Sequence, residues 1–185
     1  PPVKSEVTDM TDTAREMSYD LPPDLPSLDE PLPEIDLRQA VRMSDDTGMF
    51  QHAVYSVPDP NHGYCIDDNA RALIAALLHA RLRGQDERAL PLHRYLTFLA
   101  YAYNEDRRRF RNFMGYDRRW LEDEGSQDSQ GRTLWALGLT VELALNEGTR
   151  ELARDLFRKA MGASRDFEFL RSWAFALLGL DSYLR

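Results

Sequence analysis

Three stretches gather the residue types that do acid–base and hydrogen-bonding chemistry: Ser44-Asp-Asp-Thr-Gly-Met-Phe-Gln-His-Ala53, His62-Gly-Tyr-Cys-Ile-Asp-Asp-Asn-Ala-Arg71, and Arg111-Asn-Phe-Met-Gly-Tyr-Asp-Arg-Arg-Trp120 with Glu122-Asp-Glu-Gly-Ser-Gln-Asp-Ser-Gln-Gly-Arg132. Asp67 and Asp68 immediately precede one helical run, and Asp128 precedes another. A helix N-terminus exposes free amides and partial positive charge, so one acid there serves as a cap or a first-turn charge. Two adjacent acids exceed that need, and the second is free to project into a cleft as ligand or catalyst. Asp67, Asp68 and Asp128 are therefore the candidate catalytic residues, with Asp45, Asp46 and Glu124 next. For Asp128, Ser126 or Ser129 competes as the cap.

Arg71 and Arg132 each follow an Asp by four residues, which puts acid and guanidinium on one helical face. Such a pair either holds the start of the helix or keeps a neighbouring carboxylate charged. Tyr64, Tyr116, Trp120 and Phe50 lie among these acids; aromatic faces suit the C–H face of a pyranose, or else pack the loops onto the helices. His52 and His62 lack the carboxylate spacing of a metal site and read as hydrogen-bonding residues of the loops. Cys65 reads as a small buried residue with no base to activate it. No metal or cofactor is expected.

The elements that must position these residues are helices. Five amphipathic runs follow residue 37, at about 69–83, 87–103, 129–145, 149–161 and 169–184, with no convincing alternating strand. Thr149 is placed to cap the fourth, and Trp135 and Trp173 are assigned to the core. Short Gly-containing links join the first run to the second and the third to the fourth, making antiparallel hairpins. The segments 43–68 and 104–128 are long for a compact domain, which marks them as functional. Asp67-Asp-Asn-Ala-Arg-Ala-Leu73 repeats as Asp128-Ser-Gln-Gly-Arg-Thr-Leu134, and Arg171-Ser-Trp echoes Arg132-Thr-Leu. The first, third and fifth runs are thus equivalent, each entered from a loop, with the second and fourth outside them. Repeated hairpins predict an all-α fold, a partial α/α toroid.

The 185 residues carry 31 acids and 23 bases, a net charge of −8. Residues 1–36 hold ten of the acids, two of the bases and seven of the ten prolines, leaving 21 acids and 21 bases for the rest. That segment is expected to be an acidic, proline-rich linker, and 37–185 the helical domain. The balance argues against a nucleic-acid partner. The longest apolar run, Ala72 to Leu78, has seven residues, too few to span a membrane, and no secretory pattern is present, so a cytoplasmic location is expected. The chain starts Pro-Pro without Met and reads as a fragment.

Together, Asp45-Asp-Thr-Gly-Met-Phe-Gln-His-Ala53, Gly63-Tyr-Cys-Ile-Asp-Asp-Asn-Ala-Arg71, Arg111-Asn-Phe-Met-Gly-Tyr-Asp-Arg-Arg-Trp120 and Glu124-Gly-Ser-Gln-Asp-Ser-Gln-Gly-Arg132 resemble a bacterial six-hairpin, (α/α)6 glycosidase-like domain. That domain is fused behind, or encoded near, retaining GT-B glycosyltransferases of the family 4 type. The resemblance covers about Leu37 to Arg185 and implies that only the N-terminal half of the domain is present. It further implies a sugar-facing mouth built from the loops entering the inner helices, a glycan ligand, and a glycosyltransferase module preceding the linker.

Three functions follow. The first is a glycosidase-like or sugar-modifying domain using Asp67, Asp68 and Asp128, with Asp45, Asp46, His52, His62, Tyr64, Arg71, Tyr116, Trp120, Glu124 and Arg132 binding the glycan. The second is a non-catalytic glycan-binding or scaffolding module of a glycosyltransferase. The third is a helical interaction domain whose loop acids all pair with Arg71, Arg118, Arg119 and Arg132.

Overall fold

Leu73, Ile74 and Leu77 bury one flank of a 17-residue helix that begins at Ile66, inside the second motif. The computed structural model describes residues 34–83 and 89–185. Within them the helices are α1 (Arg38–Arg42), α2 (Ile66–Leu82), α3 (Leu92–Ala102), α4 (Gln127–Leu143), α5 (Glu147–Met161) and α6 (Leu170–Leu184). Residues Asp36–Arg185 form one compact unit. The linker expected at 1–36 lies outside the described residues except for its last three.

Helix α4 touches α2, α5 and α6, while α3 packs on α2. It is buried on most sides, from Ser129 through Val141, as a helix enclosed by neighbours must be. Its apposition to α6 is backbone-close. A Cβ on Gly138 would stand 2.0 Å from the Gly179 carbonyl oxygen, and one on Gly179 would stand 2.4 Å from that of Leu134. Two glycines facing each other let the helices approach to a distance that any side chain would prohibit.

The helices start where local chemistry allows rather than where the periodicity begins. α2 starts three residues before the expected Asn69, so Asp67 and Asp68 occupy its first turn, and Cys65 is the N-cap without a side-chain bond. α3 starts at Leu92 with Pro91, which has no N–H to offer a helix interior, at its N-cap; the expected start at Glu87 lies outside the described residues. α4 starts and ends two residues early, with Ser126 Oγ accepting from the Ser129 N–H at 3.1 Å. In α5 the cap is Asn146, whose Oδ1 accepts from the Thr149 N–H at 3.1 Å; the expected Thr149 is the residue being capped. α6 begins at Leu170, with Phe169 as its N-cap.

The long segments between helices carry short antiparallel ladders where no strand was expected. β1 (Ala53–Val54) pairs with β2 (Val57–Pro58), β3 (Tyr64–Cys65) with β6 (Phe113–Met114), and β4 (Tyr103–Asn104) with β5 (Arg109–Phe110). The β3–β6 ladder joins the second motif to the third, with Tyr64 opposite Met114 and Cys65 opposite Phe113. Gly63 precedes it with φ 59°, and a Cβ there would meet the Met114 carbonyl oxygen at 2.1 Å, so only glycine serves. Asn69, fully buried in α2, accepts the Met49 N–H at 2.8 Å and donates to the Cys65 carbonyl at 2.9 Å, fixing the first motif to the second. Trp135 packs on the core and stacks on Phe175, but Trp173, assigned to the core, is 36% exposed and donates Nε1–H to the Phe167 carbonyl at 2.9 Å. No helix among the described residues is long and apolar enough to cross a membrane.

Candidate functional site

The first turns of α2, α4 and α6 meet at one cleft of about 440 Å³, where Asp67, Asp68, Arg71, Asp128, Arg132 and Arg171 all line the wall. Gln51 and His52 come from the first motif, and Asn112 and Phe113 from the third. Glu122 holds that third segment in place: its Oε1 accepts the Asn112 and Phe113 N–H groups, both at 2.8 Å. All three candidate catalytic acids therefore share a cleft, although Asp128 lies 61 positions from Asp67.

The acids differ in their partners. Asp67 Oδ2 pairs with Arg71 Nη2 at 2.6 Å, and its Oδ1 with Arg132 Nε at 2.5 Å. Each oxygen is thus in an ion pair, one within α2 and one across to α4, the second without hydrogen-bond geometry. Asp128 does not pair with Arg132, as the four-residue spacing predicts; it is clasped by Arg171 of α6 and accepts the Ser172 hydroxyl at 2.9 Å. The arrangement is staggered: α4 extends Arg132 to Asp67 of α2, and α6 extends Arg171 to Asp128 of α4. Arg132 also lies over the Phe175 ring at 4.3 Å, which supports it from α6. Among the described residues Asp68 makes one ion pair, a longer one, to Arg71 Nη1 at 3.3 Å.

These partners push two carboxyls in opposite directions. Burial raises the pKa of Asp68, and the Asp67 charge adds to this against the opposing pull of Arg71. At Asp128 burial also acts upward, but the hydrogen bonds from Arg171 and Ser172, with the charges of Arg171 and Arg132, outweigh it and hold the group low. Asp68 is thus the group that keeps a proton more readily, and Asp128 the one that stays a carboxylate. Cys65, also on the cleft, is pushed up to about 11 by burial, and its Sγ–H donates to Asn112 Oδ1 at 3.1 Å. It stays a thiol at neutral pH and is no nucleophile there.

Of the candidate glycan-binding residues, His52, Arg71 and Arg132 line this cleft. Tyr64 is 1% exposed, and its hydroxyl donates to Asp45 Oδ2 at 2.6 Å, so its ring packs inside rather than facing a ligand. Asp45 also accepts the Thr47 and Gly48 N–H groups at 2.8 and 3.1 Å and organises its own loop. Asp46 pairs with Arg118 at 2.8 Å, and Glu124 with Arg109 at 3.0 Å. His62 lies 3.6 Å from Asp59 and meets His52 edge to face, ring centres 4.5 Å apart. Tyr116 is exposed, 6.0 Å from the Phe50 ring centre. Trp120 packs between Phe98 and Tyr101, with the Arg111 guanidinium over its ring. Among the described residues no cluster of three or more His, Cys, Asp or Glu is poised to hold a metal.

Arg171, Ser172, Asn112 and Glu122 are the site residues that motif reasoning passed over. The echo of Arg132-Thr-Leu in Arg171-Ser-Trp was the available signal for the first two. No family model, curated protein or solved structure matches this chain.

Proposed function

We propose that this chain is a carbohydrate-active, glycosidase-like module whose cleft binds a saccharide between α2 and α4. The observation that supports this most is the Asp68–Asp128 pair: two carboxyls on one cleft whose surroundings push their pKa values apart. That is the division of labour glycoside chemistry requires. Asp68 protonates the leaving glycosidic oxygen, and Asp128 takes a proton from the water that attacks the anomeric carbon. Arg71, Arg132 and His52 line the same cleft and position the sugar hydroxyls. Asp67, with both oxygens in ion pairs, positions Arg71 and Arg132. The row α2, α4, α6 forms the inner staves of a partial (α/α)6 toroid. On the motif resemblance, the partner is a glycosyltransferase module in the same polypeptide, working in the cytoplasm.

A second reading, a non-catalytic glycan-binding or scaffolding module, draws support from the same ion pairs, since Arg171 and Ser172 occupy both Asp128 oxygens. Incubation with an oligosaccharide panel, followed by NMR detection of released reducing ends, separates the two. The catalytic reading predicts turnover that falls at least about a hundredfold in both Asp68→Asn and Asp128→Asn, the scale of one lost acid–base group. Saccharide binding without turnover in the unaltered protein supports the module reading instead.

A further inference from the structure

We infer that the cleft seats an oxyanion, either a phosphate or the carboxylate of an acidic sugar, between Arg71 and Arg171. The inference deepens the saccharide reading, on which it rests for the nature of the neighbouring ligand; the anion seat is tested separately from it.

The argument begins with the charges on the wall. Asp67, Asp68 and Asp128 stand against Arg71, Arg132 and Arg171, a balanced set. Arg132 is turned inward: its side chain is only 14% exposed, and its guanidinium pairs with Asp67 and lies over Phe175. Arg71 and Arg171 are different. Their side chains are 53% and 71% exposed, and both face the cleft. A guanidinium has five N–H donors in a planar fork that matches the two oxygens of a carboxylate or phosphate. Among the described contacts Arg171 uses Nη2 alone, on Asp128. Arg71 uses Nη2 on Asp67 and reaches Asp68 only at 3.3 Å from Nη1.

Two further features favour an anion over a neutral ligand at this position. Asp68 takes up a proton more readily than an ordinary aspartate, and once protonated it leaves the wall with one excess positive charge. Arg171 also stands where the cleft adjoins a second hollow of about 590 Å³, lined by Phe169 and Leu170, and the two share Ser126, Asp128 and Arg171. Its unused donors are therefore reachable from two sides. An arriving oxyanion bridges Arg71 and Arg171 and neutralises the excess.

Calorimetric titration of the full chain with inorganic phosphate, sulfate, D-glucuronate and D-glucose tests this, alongside Arg71→Gln, Arg171→Gln, Arg171→Lys and a control Arg119→Gln. Circular dichroism verifies that each variant is folded. The expected result is saturable binding of an anion that weakens at least tenfold in Arg71→Gln and Arg171→Gln, recovers in part in Arg171→Lys and is unchanged in Arg119→Gln. Preference for phosphate and sulfate identifies a free inorganic anion; preference for glucuronate identifies an acidic sugar. No anion binding, or binding that is equal in the glutamine variants, overturns the inference. Glucose binding without anion binding overturns the inference while leaving the saccharide reading intact. Anion binding with no saccharide bound in any form keeps the seat and removes that reading.

Discussion

Asp68 and Asp128 can be told apart without any substrate, because a shifted pKa makes stability depend on pH. The folded-state pKa of Asp68 lies above that of an unfolded aspartate, so its charge is a net cost near neutrality. That cost disappears as pH falls through the raised value and the native state takes the proton first. The folded-state pKa of Asp128 lies below the unfolded one, so its contribution is fully present above the unfolded value and is lost as pH falls through the lowered one. Urea unfolding from pH 3 to 8 should therefore show opposite behaviour in the two variants. Asp68→Asn should be more stable than the parent near neutral pH, with the gap closing toward acid. Asp128→Asn should be less stable near neutral pH, with its deficit also shrinking toward acid. Of this pair, motif reading identified the positions but not the difference, because a residue's partners across helices are not written in its neighbours. Four-residue spacing gave the Asp67–Arg71 pair correctly and assigned Arg132 to Asp128, whereas packing hands Arg132 to Asp67.

The staggered Asp–Arg contacts depend on how closely α2, α4 and α6 approach, and that is a property of elements. Gly131 lets α6 approach α4 at Ser172, where a Cβ would stand 2.6 Å from the Ser172 carbonyl oxygen, and there Ser172 and Arg171 reach Asp128; Gly138 and Gly179 keep the same two helices close farther along. Gly138→Ala would force a methyl group to 2.0 Å from a carbonyl oxygen, which moves only if the helices separate. It should cost about 3 kcal/mol or more. Thermal unfolding should then fall by about 6–12 °C for a chain of this size. A variant as stable as the parent would show that the glycine contact does not set the helix spacing. The helices themselves were legible because apolar residues recur at helical period. Their starts were less so, being settled by caps such as Asn146 and by Pro91 at the head of α3. The two-residue ladders were not legible at all, since two residues cannot display an alternation. Tyr64 was misplaced for a related reason: strand pairing and Asn69 draw its motif inward, while its composition reads as a loop.

On the scale of the whole molecule, the repeat is what turns distant motifs into a site. The first turns of α2, α4 and α6 share one wall, so residues 67–71, 127–132 and 170–172 should respond together when a ligand binds. The fold makes this possible because the second and third motifs are tied to each other through β3 and β6, and Glu122 braces the third, rather than leaving them as separate loops. A heteronuclear NMR titration of the full chain with a panel of neutral and acidic oligosaccharides tests the account most directly. Shared, saturable shifts at the amides of Asp68, Asp128, Ser129 and Ser172 are the predicted result. Shifts confined to the outer aromatic surface around Tyr101, Trp120 and Leu121, or none with any saccharide, would contradict it.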